Sequence, residues 1–180
     1  MGQYYRVVNL DKREFLETWD FGDGAKLLEF GCSGSGIMCA LAILLADGNG
    51  RGGGDLDLPE EATENQKSIV GSWAGDRIVV SGDYADKGRF FQTIGEPHNL
   101  FSLCEEGVFL NISEKILEAM CFDSYLKHEI ANAMTWRDNQ EIPACLQEAV
   151  KQAKAAKEAK SQTIIQPDCL IVAGPTATKL

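Results

Sequence analysis

The chain has 180 residues, 44% of them hydrophobic and 24% charged, a composition that excludes a disordered polymer and is long enough to close a core of its own. Acidic residues outnumber basic ones by 27 to 17, for a net charge of -10, which excludes a generic surface for duplex nucleic acid. The acids are spread along the chain rather than gathered in blocks, which argues against an acidic mimic of nucleic acid as well.

The first residues, MGQYYRVVNLDKREF, are polar and charged and hold no signal-peptide apolar region. Arg6 stands where a myristoylation motif needs Ser or Thr. Tyr4 to Leu10 is rich in β-formers and predicts a first strand. Asn9 to Phe21 turns and leads out of it, and Phe21-Gly22-Asp23-Gly24 is a turn signal. Lys26 to Phe30 reads as a short strand or a helical turn, since periodicity does not decide over so short a stretch. Ser35 caps a helix that runs from Gly36 or Ile37 to Ala46 and ends at Asp47-Gly48. That helix is apolar all round, so it is predicted to be central and buried. Its apolar run is about half the length that spans a bilayer, so no membrane association is expected.

Asp47 to Asp57, DGNGRGGGDLD, contains five glycines and is predicted to be a loop, because regular elements do not tolerate that much backbone freedom. Pro59 to Lys67 is acidic, polar and predicted exposed. Arg77 to Ser81 is a strand bounded by Gly-Asp at both ends, and Val108 to Ile112 is another. Ser113 is placed to cap an amphipathic helix with Ile116, Leu117, Met120 and Tyr125 on its buried side. Pro143 fits the first turn of a helix, and the Ala- and Lys-rich run to Lys160 has high helix propensity. The thin apolar stripe of that helix, Leu146, Val150 and Ala153, predicts weak packing or a reach beyond the body. Ile164-Ile165 and Leu170-Ile171-Val172 read as short strand pieces. The expected fold class is α+β: residues 1–140 form a single compact domain, a small, mostly antiparallel sheet with a buried central helix. Residues 141–180 follow as a C-terminal helical extension and tail.

Six cysteines and two histidines show no CxxC or other metal-ligand spacing, so a zinc site is not indicated. Cys32, Cys39, Cys121 and Cys169 sit among apolar neighbours and read as reduced core thiols, which fits a cytoplasmic protein.

The segments MGQYYRVVNLDKREFL, FGDGAKLLEFG, LLADGNGRGGGDLD and GSWAGDRIVVSGDYAD, taken in order, resemble an uncharacterised family of small bacterial and phage-borne proteins. The resemblance covers roughly Met1 to Tyr125. It implies a prokaryotic or phage origin and one domain of that length, and it implies no activity.

Three places carry chemistry. Glu29-x-Gly31-x-x-x-x-Gly36 is similar to the first motif of S-adenosylmethionine methyltransferases, but the glycine run before Asp55 leaves no second strand to hold a ribose-binding acid. No Gly-Lys-Ser/Thr follows the glycines, which excludes a P-loop. What remains there is an anion seat at the helix start, with Ser33, Ser35 and the backbone N–H groups to Gly36, against the plainer reading of close packing. The loop with Arg51, Gly53, Gly54, Asp55 and Asp57 offers a guanidinium for phosphate and carboxylates for a cation, without the EF-hand pattern. Trp73, Asp76 and Arg77 before the strand, and Asp83 and Tyr84 after it, form the third place, with turn capping as the alternative role of each Asp. His98 in a turn and His128 on a helix give little support for a catalytic base.

The leading expectation is therefore a non-enzymatic binding or regulatory protein, with a site for a small anionic or nucleotide-like ligand where the glycine loops around Gly52–Asp57 and Gly75–Tyr84 converge. A divalent-metal-dependent hydrolase using Asp55, Asp57, Asp76 and Asp83 is the second reading. A structural protein that meets a protein partner or a second copy through the C-terminal extension is the third. No cofactor is indicated.

Overall fold

The computed structural model describes residues 2–48, 56, 58–90, 97–136 and 142–164. The β-forming N-terminal segment becomes β1 (Tyr5–Asn9), a central strand of a four-stranded sheet. β1 pairs antiparallel with β2 (Glu14–Leu16) and, along its whole length, antiparallel with β3 (Ile78–Gly82). β4 (Leu110–Asn111) adds to β2 in parallel, giving the order β3-β1-β2-β4. β2 was not expected, because the turn before it holds no Gly or Pro. Asn9 builds that turn by accepting the N–H groups of Asp11 and Lys12, and Arg13 takes the left-handed conformation that glycine usually supplies (φ 54°).

Alternation along the strands divides the core. Val7 and its partner Leu16 face one side and join the larger apolar cluster. Val8 and its partner Phe15 face the other, against Leu100, Leu103, Cys104 and Phe109. The smaller cluster is covered by α4 (Leu100–Glu105), and helices from the rest of the chain cover the larger one.

Lys26 to Phe30 resolves as helical, within α1 (Leu27–Gly31). α2 (Ile37–Leu45) forms where predicted, yet it is not buried all round. Ile37, Ala40 and Leu44 are fully buried, while Met38 and Leu45 are 37% and 41% exposed. One face packs on the core; the segment Gly71–Trp73 crosses its end, donating backbone N–H groups to Ile43 and Leu44. Gly71 permits that crossing: it has φ +73°, and a Cβ there would lie 2.4 Å from the Ala46 carbonyl oxygen. Within the polar stretch Pro59–Lys67, Thr63 and Gln66 form a capping box that starts α3 (Glu64–Lys67).

The predicted strand Val108–Ile112 shrinks to the two residues of β4, because Phe109 and Ile112 turn into the core. Ser113 is the first residue of α5 (Ser113–Met120) rather than its cap, and its buried hydroxyl accepts the Glu17 N–H at 2.8 Å. Ile116, Leu117 and Met120 are buried as expected, but Tyr125 is 69% exposed. Asp123 caps a new helix at that point, α6 (Ser124–Met134), which rotates Tyr125 outward.

After Pro143 a single 3-10 turn, Ala144–Leu146, leads into α7 (Gln147–Ile164). Leu146, Val150 and Ala153 are buried, and the first two share one cluster with Ile130, Ala131 and Met134. The stripe is thin but fully used, so α7 is seated on the body along its first half. The strand piece expected at Leu170–Val172 and the core thiol expected at Cys169 lie outside the described residues. Cys32, expected in the core, is exposed just beyond α1, whereas Cys104 and Cys121 are buried. Among the described residues no helix is long and apolar enough to cross a membrane.

Candidate functional site

Arg51, Gly53, Gly54, Asp55 and Asp57 lie outside the described residues. The partners expected for them are placed in detail. Trp73 is buried, and its indole N–H donates to Glu14 Oε2 at 2.7 Å. Asp76 Oδ2 accepts from Asn9 Nδ2 at 2.8 Å and stands 3.9 Å from the Lys12 ammonium. Arg77 donates its backbone N–H to Asp11 Oδ2 at 2.7 Å and its Nε to Asp11 Oδ1 at 2.8 Å. Those hydrogen bonds hold the Asp11 carboxyl below its usual range. Trp73, Asp76 and Arg77 thus strap one turn to the β1–β2 hairpin.

Asp83 sits beyond the other end of β3, where its Oδ1 accepts the Tyr4 N–H at 3.1 Å and its carbonyl accepts from Asn99. A five-residue strand, about 16 Å long, separates Asp76 from Asp83. The two carboxylates therefore do not share a site, and no group of three His, Cys, Asp or Glu side chains suited to a metal occurs among the described residues. Tyr84 is 65% exposed and lines an open cavity of about 310 Å³ with Arg89, Phe90 and His98.

At the start of α2, the Ser33 hydroxyl accepts the Gly36 N–H at 2.9 Å, and the buried Asp23 carboxylate accepts the Ile37 N–H at 2.7 Å. Ser35 is half-buried beside them. A Cβ at Gly36 would lie 2.1 Å from Asp23 Oδ2. The glycine makes room for an anion, and the anion is the chain's own carboxylate.

A second cleft, about 470 Å³, opens between Tyr4, Arg6, Glu17, Trp19, Phe101 and Glu105, with Asp83 at its wall. Arg6 donates from Nε to Glu17 at 2.7 Å and from a terminal nitrogen to the Phe101 carbonyl at 3.1 Å. Its guanidinium lies 4.0 Å from the centre of the Phe101 ring. Burial raises the Glu17 pKa against the lowering pull of Arg6. Sequence reasoning missed this pair because it joins a strand to a 3-10 turn with no motif around either residue.

The largest of these clefts, about 770 Å³, runs between α6 and α7. Lys157 donates to the Thr135 hydroxyl at one end of it. The two helices lie side by side along it. Lys127 and His128 of α6 and Lys157 and Lys160 of α7 line the groove, with Glu148 as its acidic member. None of the ion pairs among the described residues engages these lysines. Ser124, Asn132 and Gln152 add neutral polar groups. The signal for this groove was present as lysines three apart, at 151, 154, 157 and 160, in a segment from 142 onward with five lysines and three acids.

No known protein family matches the chain, and no curated protein or solved structure was found similar to it.

Proposed function

We propose that this chain is a binding protein for a small anionic ligand, and that the ligand occupies the groove between α6 and α7. One observation carries the reading: four basic side chains line the groove against a single carboxylate, in a chain whose net charge is -10. A positive cleft on an acidic body attracts anions selectively. Lysine ammonium groups, with amide and hydroxyl donors between them, suit a ligand carrying several phosphate or carboxylate oxygens. The groove takes the place of the glycine loops as the seat of the expected anion. The Asp76 and Arg77 side chains of those loops are engaged in hairpin contacts.

The test is calorimetric titration of the full chain with inorganic triphosphate and with adenosine triphosphate, at low and high salt, with spermidine as the cationic control. Binding of the triphosphates that weakens with salt is expected, with a loss of about fivefold for each of Lys127→Ala, Lys157→Ala and Lys160→Ala. No triphosphate binding, or unchanged affinity in the triple variant, would overturn the assignment.

A further inference from the structure

The cleft of about 470 Å³ beside Arg6 is walled by aromatic rings, and its size is that of a small-molecule site. Two pairs of a ring and a carboxylate face it. Phe101 and Glu105 stand four residues apart on α4, so they share one face of that helix. Tyr4 and Asp83 flank the paired strands β1 and β3, and Asp83 Oδ1 accepts the Tyr4 N–H at 3.1 Å. The Trp19 indole adds a third ring.

Arg6 is the one basic group among the described residues of the wall, and it is already engaged. Its Nε donates to Glu17 at 2.7 Å and a terminal nitrogen donates to the Phe101 carbonyl at 3.1 Å. Arg6 and Glu17 neutralise each other. Asp83 enters no ion pair among the described residues, and Glu105 stands 3.8 Å from its nearest cation, the Arg6 guanidinium. The charge left uncommitted in the cleft is therefore negative. An anion would meet two carboxylates there. A cation would meet carboxylate oxygens and ring faces together, and both attract it. Phe101 already shows this preference: the Arg6 guanidinium lies 4.0 Å from its ring centre.

We infer that this cleft binds a small organic ammonium ion, a primary amine on an apolar or aromatic body, with its ammonium held by the Asp83 and Glu105 carboxylates and its body against the rings of Tyr4 and Trp19. A primary amine fits better than a quaternary one, because the open polar groups are acceptors and a primary ammonium supplies N–H donors. The site does not depend on the anion groove, which α6 and α7 line with other residues.

Calorimetric titration of the full chain with phenethylamine at neutral pH tests the inference, with 2-phenylethanol as the uncharged counterpart. The amine is expected to bind at least about tenfold more tightly than the alcohol, because only the amine gains the carboxylate and cation–ring contacts. Its affinity should fall with added salt. Asp83→Asn, Glu105→Gln and Tyr4→Leu are each expected to weaken it about threefold. Asparagine keeps an oxygen for the Tyr4 N–H, and the Tyr4 and Glu105 side chains are largely exposed, so these variants keep the fold, which circular dichroism checks. Triphosphate binding should be the same in the Asp83→Asn, Glu105→Gln double variant, and amine binding the same in Lys157→Ala, so failure of one site is not read as failure of the other. No binding of the amine, equal affinity for the alcohol, or unchanged amine affinity in the double variant overturns the inference. So does amine binding that Lys157→Ala weakens.

Discussion

The carboxylate of Asp23 accepts the backbone N–H of Ile37 at 2.7 Å, so the chain closes the start of α2 with an acid from a preceding turn. Gly36 is what lets the carboxylate approach, since a Cβ there would overlap Asp23 Oδ2 at 2.1 Å. Asp23→Ala is expected to cost about 2 kcal/mol, the worth of a charge-assisted hydrogen bond at a helix start. Gly36→Ala is expected to cost about 2–3 kcal/mol through overpacking. In the Asp23→Ala background the added methyl has space, and its cost should fall below about 1 kcal/mol. Urea unfolding of the two single variants and the double variant measures the coupling, and additive losses would show that the two residues do not compete for one volume.

The thin apolar stripe of α7 makes a prediction about the C-terminal segment. Leu146 is wholly buried against a cluster that includes Ile130 and Met134. Leu146→Ala is expected to cost about 3 kcal/mol in thermal or urea unfolding, the usual loss for a leucine truncated in a well-packed core. A chain ending at residue 139 should lose cooperative melting and bind a hydrophobic dye, because Leu146, Val150 and Ala153 leave the core together. An unchanged melting temperature in the shortened chain would show that α7 is a dispensable appendage.

Much of this fold is legible in short-range pattern. β1 and β3 follow from runs of β-formers between turn signals, α2 and α5 from apolar spacing, and α7 from alanine and lysine propensity. The failures lie where a distant contact decides. β2 follows a turn in which Arg13 performs a role usually left to glycine, and the exposed side of α2 is set by which neighbours reach it. The candidate sites divide in the same way. Asp76 was recognisable as a turn residue and Arg77 as the start of a strand, but their partners Asn9 and Asp11 lie more than sixty positions away. The basic groove needs α6 and α7 to lie side by side, and no local spacing encodes that pairing. Arg6 and Glu17 are near in sequence, yet only the hairpin between them turns both toward Phe101.

Arg6 and Glu17 supply the pH-dependent prediction. Both side chains are largely buried, at 13% and 16% exposure, and their contact is 2.7 Å. Burial raises the Glu17 pKa above its ordinary 4.5, and Arg6 pulls it back. A carboxyl whose pKa is higher in the folded chain than in the unfolded one holds its proton longer when folded. Its favourable contribution is therefore complete below the ordinary carboxylate range and is lost as pH rises through the raised pKa. Glu17→Gln should remove that part of the pH dependence. Arg6→Met should enlarge it, because Glu17 then keeps its burial and loses its counter-charge. At neutral pH the loss of Arg6 is expected to cost about 3 kcal/mol or more, as when one partner of a buried pair is deleted. The loss of its stacking on Phe101 costs the same at every pH, so the diagnostic quantity is the difference between stability at about pH 4 and about pH 7. Urea unfolding at both values should show that difference widened in Arg6→Met and returned to the level of the Glu17→Gln single variant when Glu17→Gln is added. Equal differences in all variants would place the raised carboxyl elsewhere in the chain.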